Sequence, residues 1–88
     1  MKLPKVGSFV MVEWDDAASC DVWSDPESAI RVTESYPVCR SVGWIVGLKK
    51  DALFVAGTAN FDNENNLGQT GTVFRIPLGI VKHIHRIN

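Results

Sequence analysis

Two apolar runs separated by three polar residues dominate the hydropathy pattern of this chain. Residues 42–48 and 52–59 flank Lys49-Lys50-Asp51, a break short enough for a hairpin turn. In the first run Val42, Trp44, Val46 and Leu48 alternate with Gly43, Ile45 and Gly47, which is the two-residue period of a strand. The bulkier set is expected to face inward, giving a core of Trp44, Val46, Val55, Phe74 and Ile84. Residues 8–14 read as another strand, with Phe9 and Met11 alternating against Val10, Val12 and Trp14. Both its faces are apolar, as in a strand covered on two sides or wrapped into a small barrel. Gly7 ahead of it permits a turn.

Residues 15–37 differ in kind. Asp15-Asp16-Ala17-Ala18-Ser19-Cys20-Asp21 is small, acidic and without period. Ser24-Asp25-Pro26-Glu27 is a helix-start signal, with a capping side chain, a proline near the first helical position and an acid in the first turn. About two turns can follow, because Ile30, Val32 and Thr33 are poor helix formers and Pro37 closes the stretch. A loop of this length in a compact domain is usually functional or disordered. Trp23, Ile30 and Tyr36 give it apolar surface to bury, so it is expected to lie ordered against the rest of the fold.

Gly43, Gly47 and Gly57 suit strand bending or close approach of sheet layers. Residues 60–71 hold four asparagines and two glycines, the composition of a solvated loop. Residues 72–76 form a short strand, Pro77-Leu78-Gly79 one turn of 3₁₀ helix, and residues 80–87 the last strand. Five short strands must close on themselves or leave edges exposed. The expected fold is therefore all-β: one domain over residues 1–88, a small five-stranded barrel with a long acidic loop carrying a short helix between strands 1 and 2.

Gly71-Thr72-Val73-Phe74-Arg75-Ile76-Pro77-Leu78-Gly79-Ile80-Val81 resembles the end of a Src-homology-3-like (SH3-like) barrel, where a strand runs into Ile-Pro, makes one 3₁₀ turn and leaves on the last strand. The acidic-aromatic motif of the signalling domains is absent, so their proline-peptide binding does not carry over. Across most of the chain, Val12-Glu13-Trp14-Asp15-Asp16-Ala17, Trp23, Ser41-Val42-Gly43-Trp44-Ile45-Val46 and Ile76-Pro77 resemble a family of small uncharacterised bacteriophage and mobile-element proteins. That resemblance implies provenance and fold, not a mechanism.

Charge and composition narrow the function classes. Hydrophobic residues make up 45% and charged residues 22%, an ordinary globular balance that argues against disorder. A net charge of −1 removes a whole-chain electrostatic case for nucleic acid or anionic membrane. No apolar run approaches the roughly 20 residues of a membrane span. Met1-Lys2-Leu3-Pro4-Lys5 has no long apolar stretch behind it, so a cytoplasmic location is expected.

Candidate chemistry is sparse. Asp15, Asp16, Asp21, Asp25 and Glu27 could gather around a divalent cation, but they lack the spacing of a calcium loop, and a solvated face is the simpler reading. His83 and His85 share a strand face; zinc would need a further ligand, with Cys20 or Cys39 the available sulfurs. No feature activates either thiol as a nucleophile, so an enzyme is not expected and no cofactor is assigned.

Trp14, Trp23 and Tyr36 could line a groove between loop and barrel, with Trp23 otherwise anchoring the loop. The reading that follows is a non-enzymatic binding module. It engages a protein partner, a host protein or its own twin, through Trp14, Asp15, Asp16, Asp21, Trp23 and Tyr36. The alternative is a small-molecule or nucleotide binder using the loop aromatics with Lys49, Lys50 or Arg75. Single-stranded nucleic acid ranks third, because Arg75, Lys82 and Arg86 make a thin phosphate footprint.

Cys20 and Cys39 are too few for a disulfide framework, and a reducing compartment keeps both as thiols. Intact mass of freshly purified protein is expected to be unchanged by reductant; a two-hydrogen deficit restored by reductant would count against a cytoplasmic location.

Overall fold

The computed structural model describes residues 2–16, 22–34 and 38–88. In chain order the elements are β1 (Phe9–Trp14), α1 (Pro26–Glu34), β2 (Cys39–Leu48), β3 (Ala52–Phe61), β4 (Leu67–Pro77), a 3₁₀ turn (Leu78–Ile80) and β5 (Val81–Arg86). The five strands make one antiparallel sheet in the order β4-β3-β2-β1-β5. The fold is mostly β with one short helix, and the sheet is open: β4 and β5 are its edges, joined by the 3₁₀ turn rather than by a ladder.

The central hairpin forms where the pattern places it. Lys49 N–H donates to the Ala52 carbonyl across the three-residue turn at 2.9 Å. Ahead of β1, Gly7 adopts φ +94°, a conformation that side-chain-bearing residues rarely take. Its N–H donates to the Ile45 carbonyl at 2.7 Å, and the Ile45 N–H returns to the Ser8 carbonyl at 2.9 Å. The first strand is thereby registered on the second before its apolar residues begin.

The inward face is the opposite of the one the bulky alternation suggests. Val10, Val12, Ile45, Leu53, Val55 and Ile76 are buried together, with Trp14, Leu78, Ile80, Val81 and Ile84 packed against them. Of the expected core, Val55 is buried and Ile84 is partly so. Trp44 and Val46 are half-buried on the other side, and Phe74 is 56% exposed on the edge strand. Two physical reasons decide this. Among the described residues no second layer covers the sheet, so its core is a tight concave surface of its own making, and mid-sized branched residues fit there better than indole. A register irregularity between Ile45 and Gly47 then shifts the phase, so that Leu48 rather than Gly47 opposes Leu53.

Gly43 permits that curvature. A Cβ there would collide with the Ala56 carbonyl oxygen and lie 2.9 Å from Val55 Cγ1, so β2 and β3 approach closely only because the position lacks a side chain. Gly57 has open space around it, so it plays no such part.

The Asn-rich stretch is less of a loop than its composition suggests. β3 runs on to Phe61 and β4 starts at Leu67, leaving residues 62–66 as the connection. Beyond Ala56 the ribbon pairs only with itself. Polar residues can hold it because ladder hydrogen bonds need no apolar burial; the Asn60 side chain adds one by accepting from Gln69 N–H at 2.7 Å. The molecule is correspondingly long, with extents of 58 × 24 × 24 Å and a radius of gyration of 16.3 Å. A compact chain of this length would have about 12 Å.

Ile45→Ala is expected to lower stability by about 2–5 kcal/mol in denaturant unfolding, and Val42→Ala by less than about 1 kcal/mol. Comparable losses at both positions would put Val42 in the core and reverse the assigned faces.

Candidate functional site

The sequence points to the segment between β1 and β2, and the structure separates its parts. Trp14 ends β1 on the concave side, half-buried, and its indole N–H donates to Ser41 Oγ at 3.0 Å. It lines a cavity of about 70 Å³ with Ser41, Phe74, Ile76, Pro77 and Ile80. Asp15 follows directly. Its N–H donates to the Ile80 carbonyl at 2.8 Å, and its carboxylate lies 3.8 Å from Lys82 Nζ. Asp16 is exposed beside it. Asp21, Tyr36 and Cys20 lie outside the described residues.

Trp23 is 104% exposed, as open as an isolated residue. It therefore neither anchors the loop nor shares a groove with Trp14, and both expectations for it are corrected. The loop likewise does not pack on the sheet through α1, none of whose residues is buried. The reason is visible on the helix itself. Nine residues place Pro26, Ala29, Ile30, Val32 and Thr33 on one arc and Glu27, Ser28, Arg31 and Glu34 on the other. That arc is broad, about 160° from Val32 to Ile30 at 3.6 residues per turn, so no flat face covers it all, and Ile30 on it is still 55% exposed.

Local chemistry holds the helix. Asp25 caps it, accepting from Ser28 Oγ at 2.7 Å and from Ser28 N–H at 3.0 Å. These bonds, the hydroxyl's first, hold the Asp25 carboxyl below the usual carboxylate range. Arg31 lies 3.7 Å from Glu27 one turn away and donates to Ser28 Oγ at 3.1 Å.

A second surface was not legible beforehand. On the convex side of the sheet, β1, β2 and β5 pair Phe9 with Trp44, Met11 with Val42 and His85, and Glu13 with Arg40 and His83. Phe9 and Trp44 rings are 4.8 Å apart, and Phe61 from the β3–β4 ribbon closes on Trp44 at 5.9 Å. Val42 beside them is 53% exposed. At the far end Glu13 Oε1 lies 3.6 Å from Arg40 Nε and 3.5 Å from His85 Nε2. The alternation at Phe9 and Trp44 was a usable signal, but Phe61 fell within a stretch that reads as solvated loop.

His83 and His85 do share a face, with rings 5.8 Å apart. Cys39, a free thiol, pairs with Trp14 and so belongs to the other face. Among the described residues no three His, Cys, Asp or Glu side chains gather as metal ligands. No helix among them is long and apolar enough to cross a membrane.

No protein-family model matches the chain, and no curated protein or solved structure matches it either. Function has to be argued from the surfaces alone.

Asp62 provides a titratable reporter at the ribbon tip. Its Oδ1 accepts from Asn66 N–H at 2.9 Å and Glu64 N–H at 2.8 Å, and its Oδ2 from Asn66 Nδ2 at 3.1 Å. The Asn66 bonds above all lower its pKa from the ordinary 3.8. A depressed carboxylate stabilises the fold above its unfolded pKa and loses that contribution as pH falls through the folded value. The Glu64 and Asn66 amide resonances should therefore titrate together with a midpoint below 3.8. A midpoint at or above that value would mean the tip bonds are not kept in solution.

Proposed function

We propose that the protein is a non-enzymatic binding module whose insertion between β1 and β2 engages a protein partner. One observation carries the reading: a fully exposed Trp23 stands at the head of an amphipathic helix with no buried residue. Tryptophan in water is uncommon because its transfer out of water is favourable, and at interfaces it is among the strongest anchors. A nine-residue helix is also below the roughly 12–15 residues at which isolated helices hold in water, so α1 stands to gain from being covered.

The chemistry of the insertion describes its partner. Ile30 and Val32 with Trp23 suit a groove that takes an amphipathic helix. Asp15, Asp16, Asp25, Glu27 and Glu34 outnumber Arg31 and call for a basic rim. Asp21 and Tyr36, named with them from the sequence, lie outside the described residues. The cavity beside Trp14, about 70 Å³, is itself too small for an ordinary small-molecule ligand.

The SH3-like reading of the fold rests on the run from β4 through Ile76-Pro77 and the 3₁₀ turn into β5, in a sheet that is open rather than closed. A phage or mobile-element origin rests on the quoted sequence motifs, and a cytoplasmic location on composition.

A photo-crosslinking residue in place of Trp23 should give one adduct of defined mass in cells, and the same residue at Lys50 should not. Ile30→Lys should abolish that adduct while leaving the melt within about ±0.5 kcal/mol, as solvated changes do. Asp16→Lys should slow association and flatten its salt dependence. A Trp23→Ala variant that loses stability instead would make Trp23 a structural anchor and remove the main support for this reading.

A further inference from the structure

Of the two edges of the sheet, β4 is the unguarded one. β5 carries Lys82, His83, His85 and Arg86 among its six residues, and charged edges resist pairing with another strand. Residues 67–74 of β4 hold no charged side chain, and residues 68–75 are exposed. Among the described residues only β3 pairs with β4, so alternate backbone N–H and C=O groups along its outer side meet water.

The ribbon gains most from a further strand. Beyond Ala56, β3 and β4 pair only with each other. A two-stranded ribbon is marginally stable in water, whereas three or more strands hold. On its β3 side Phe61 closes on Trp44, which leaves β4 as the accessible row. Gln69 N–H turns inward to Asn60 Oδ1, so by strand alternation Gly68 and Thr70 direct theirs outward. Thr72, at φ +52°, interrupts the row, and the stretch open to pairing is residues 67–71.

Charge names the occupant. Residues 52–74 hold Asp62 and Glu64 at the ribbon tip and no Lys, Arg or His. At the opposite end of β4, Leu78 N–H donates to the Asp51 carbonyl at 2.9 Å, which sets the Lys49-Lys50-Asp51 turn beside it. Arg75 lies 3.4 Å from Asp51, so those two offset each other while Lys49 and Lys50 leave this end cationic. The strand therefore runs from an acidic tip to a basic end across an uncharged middle. Two such strands laid antiparallel bring each acidic tip toward the other's basic end; laid parallel, they would set like charges together.

We infer that β4 pairs with β4 of a second copy, antiparallel about a two-fold axis at Gln69. This goes beyond the binding-module reading and uses none of the insertion. Gly68 of one copy and Thr70 of the other exchange hydrogen bonds, and the two Gln69 side chains meet at the axis with no charge to repel. The two ribbons become one four-stranded arm of a continuous sheet. Both outer edges of that sheet are β5, whose charges oppose further addition, so the assembly closes at two copies.

The intact chain in sedimentation equilibrium should show twice the chain mass at micromolar concentration, with the dimer weakening as salt rises to about 1 M. Gln69→Lys, which sets two cations together at the axis, should give a monomer with unchanged circular dichroism. Glu64→Lys and Lys50→Glu should each weaken the dimer. Combined in one chain they should restore it, because both ends are then reversed. Trp23→Ala should remain dimeric. Nitrogen-15 protein mixed with chains carrying a photo-crosslinker at Gln69 should be captured in crosslinks of mixed isotope that map to residues 67–71. A monomer at every concentration, a dimer indifferent to Gln69→Lys, or single-isotope crosslinks would each overturn the inference. Charge variants without effect, singly or combined, would remove the antiparallel arrangement and overturn it as well. A dimer lost with Trp23→Ala would place the contact on the insertion, against the inference and in favour of the insertion as a binding surface.

Discussion

A single sheet with no second layer has to make its core from itself, and the contact that allows this is the approach of β2 to β3 at Gly43. The Ala56 carbonyl and Val55 side chain occupy the space a Cβ would need. With that space free, the sheet curls until Val10, Val12, Ile45, Leu53, Val55 and Ile76 exclude water together. The hydrogen bonds from Gly7 and Ile45 fix β1 against β2 at the same place, and the 3₁₀ turn brings Leu78 and Ile80 over the end of the core. Such a core is small, as expected for a chain near the size at which burial only just offsets conformational entropy.

That economy determines what is left for function. Concave residues are committed to the core, and the cavity beside Trp14 is small, about 70 Å³. Among the described residues, two regions stand outside that core: the convex face of the sheet and the insertion. Both carry aromatic side chains, half-buried Phe9, Trp44 and Phe61 on one and fully exposed Trp23 on the other.

Local signals in the sequence carried a good deal. The Lys49-Lys50-Asp51 turn, the glycine turn before β1, the helix start at Asp25-Pro26 and the 3₁₀ turn after Ile76-Pro77 depend on neighbours in sequence, so their chemistry is legible there. The sharing of one face by His83 and His85 follows from strand period alone.

Facing, closure and exposure were decided only by the tertiary structure. β2 is apolar on both sides, so period identified a strand without saying which side the curl would enclose; Gly43 and the irregularity after Ile45 chose Ile45 over Trp44. Whether five strands close depends on the distance between β4 and β5, which no local pattern contains. Trp23 was legible as an aromatic side chain that gains from burial, but the sequence could not say where. In the structure it stands fully exposed. Hydrogen bonding and turn chemistry are local, so most segments were legible in the sequence, the ribbon within residues 60–71 excepted, while the fold alone decided which apolar surfaces meet.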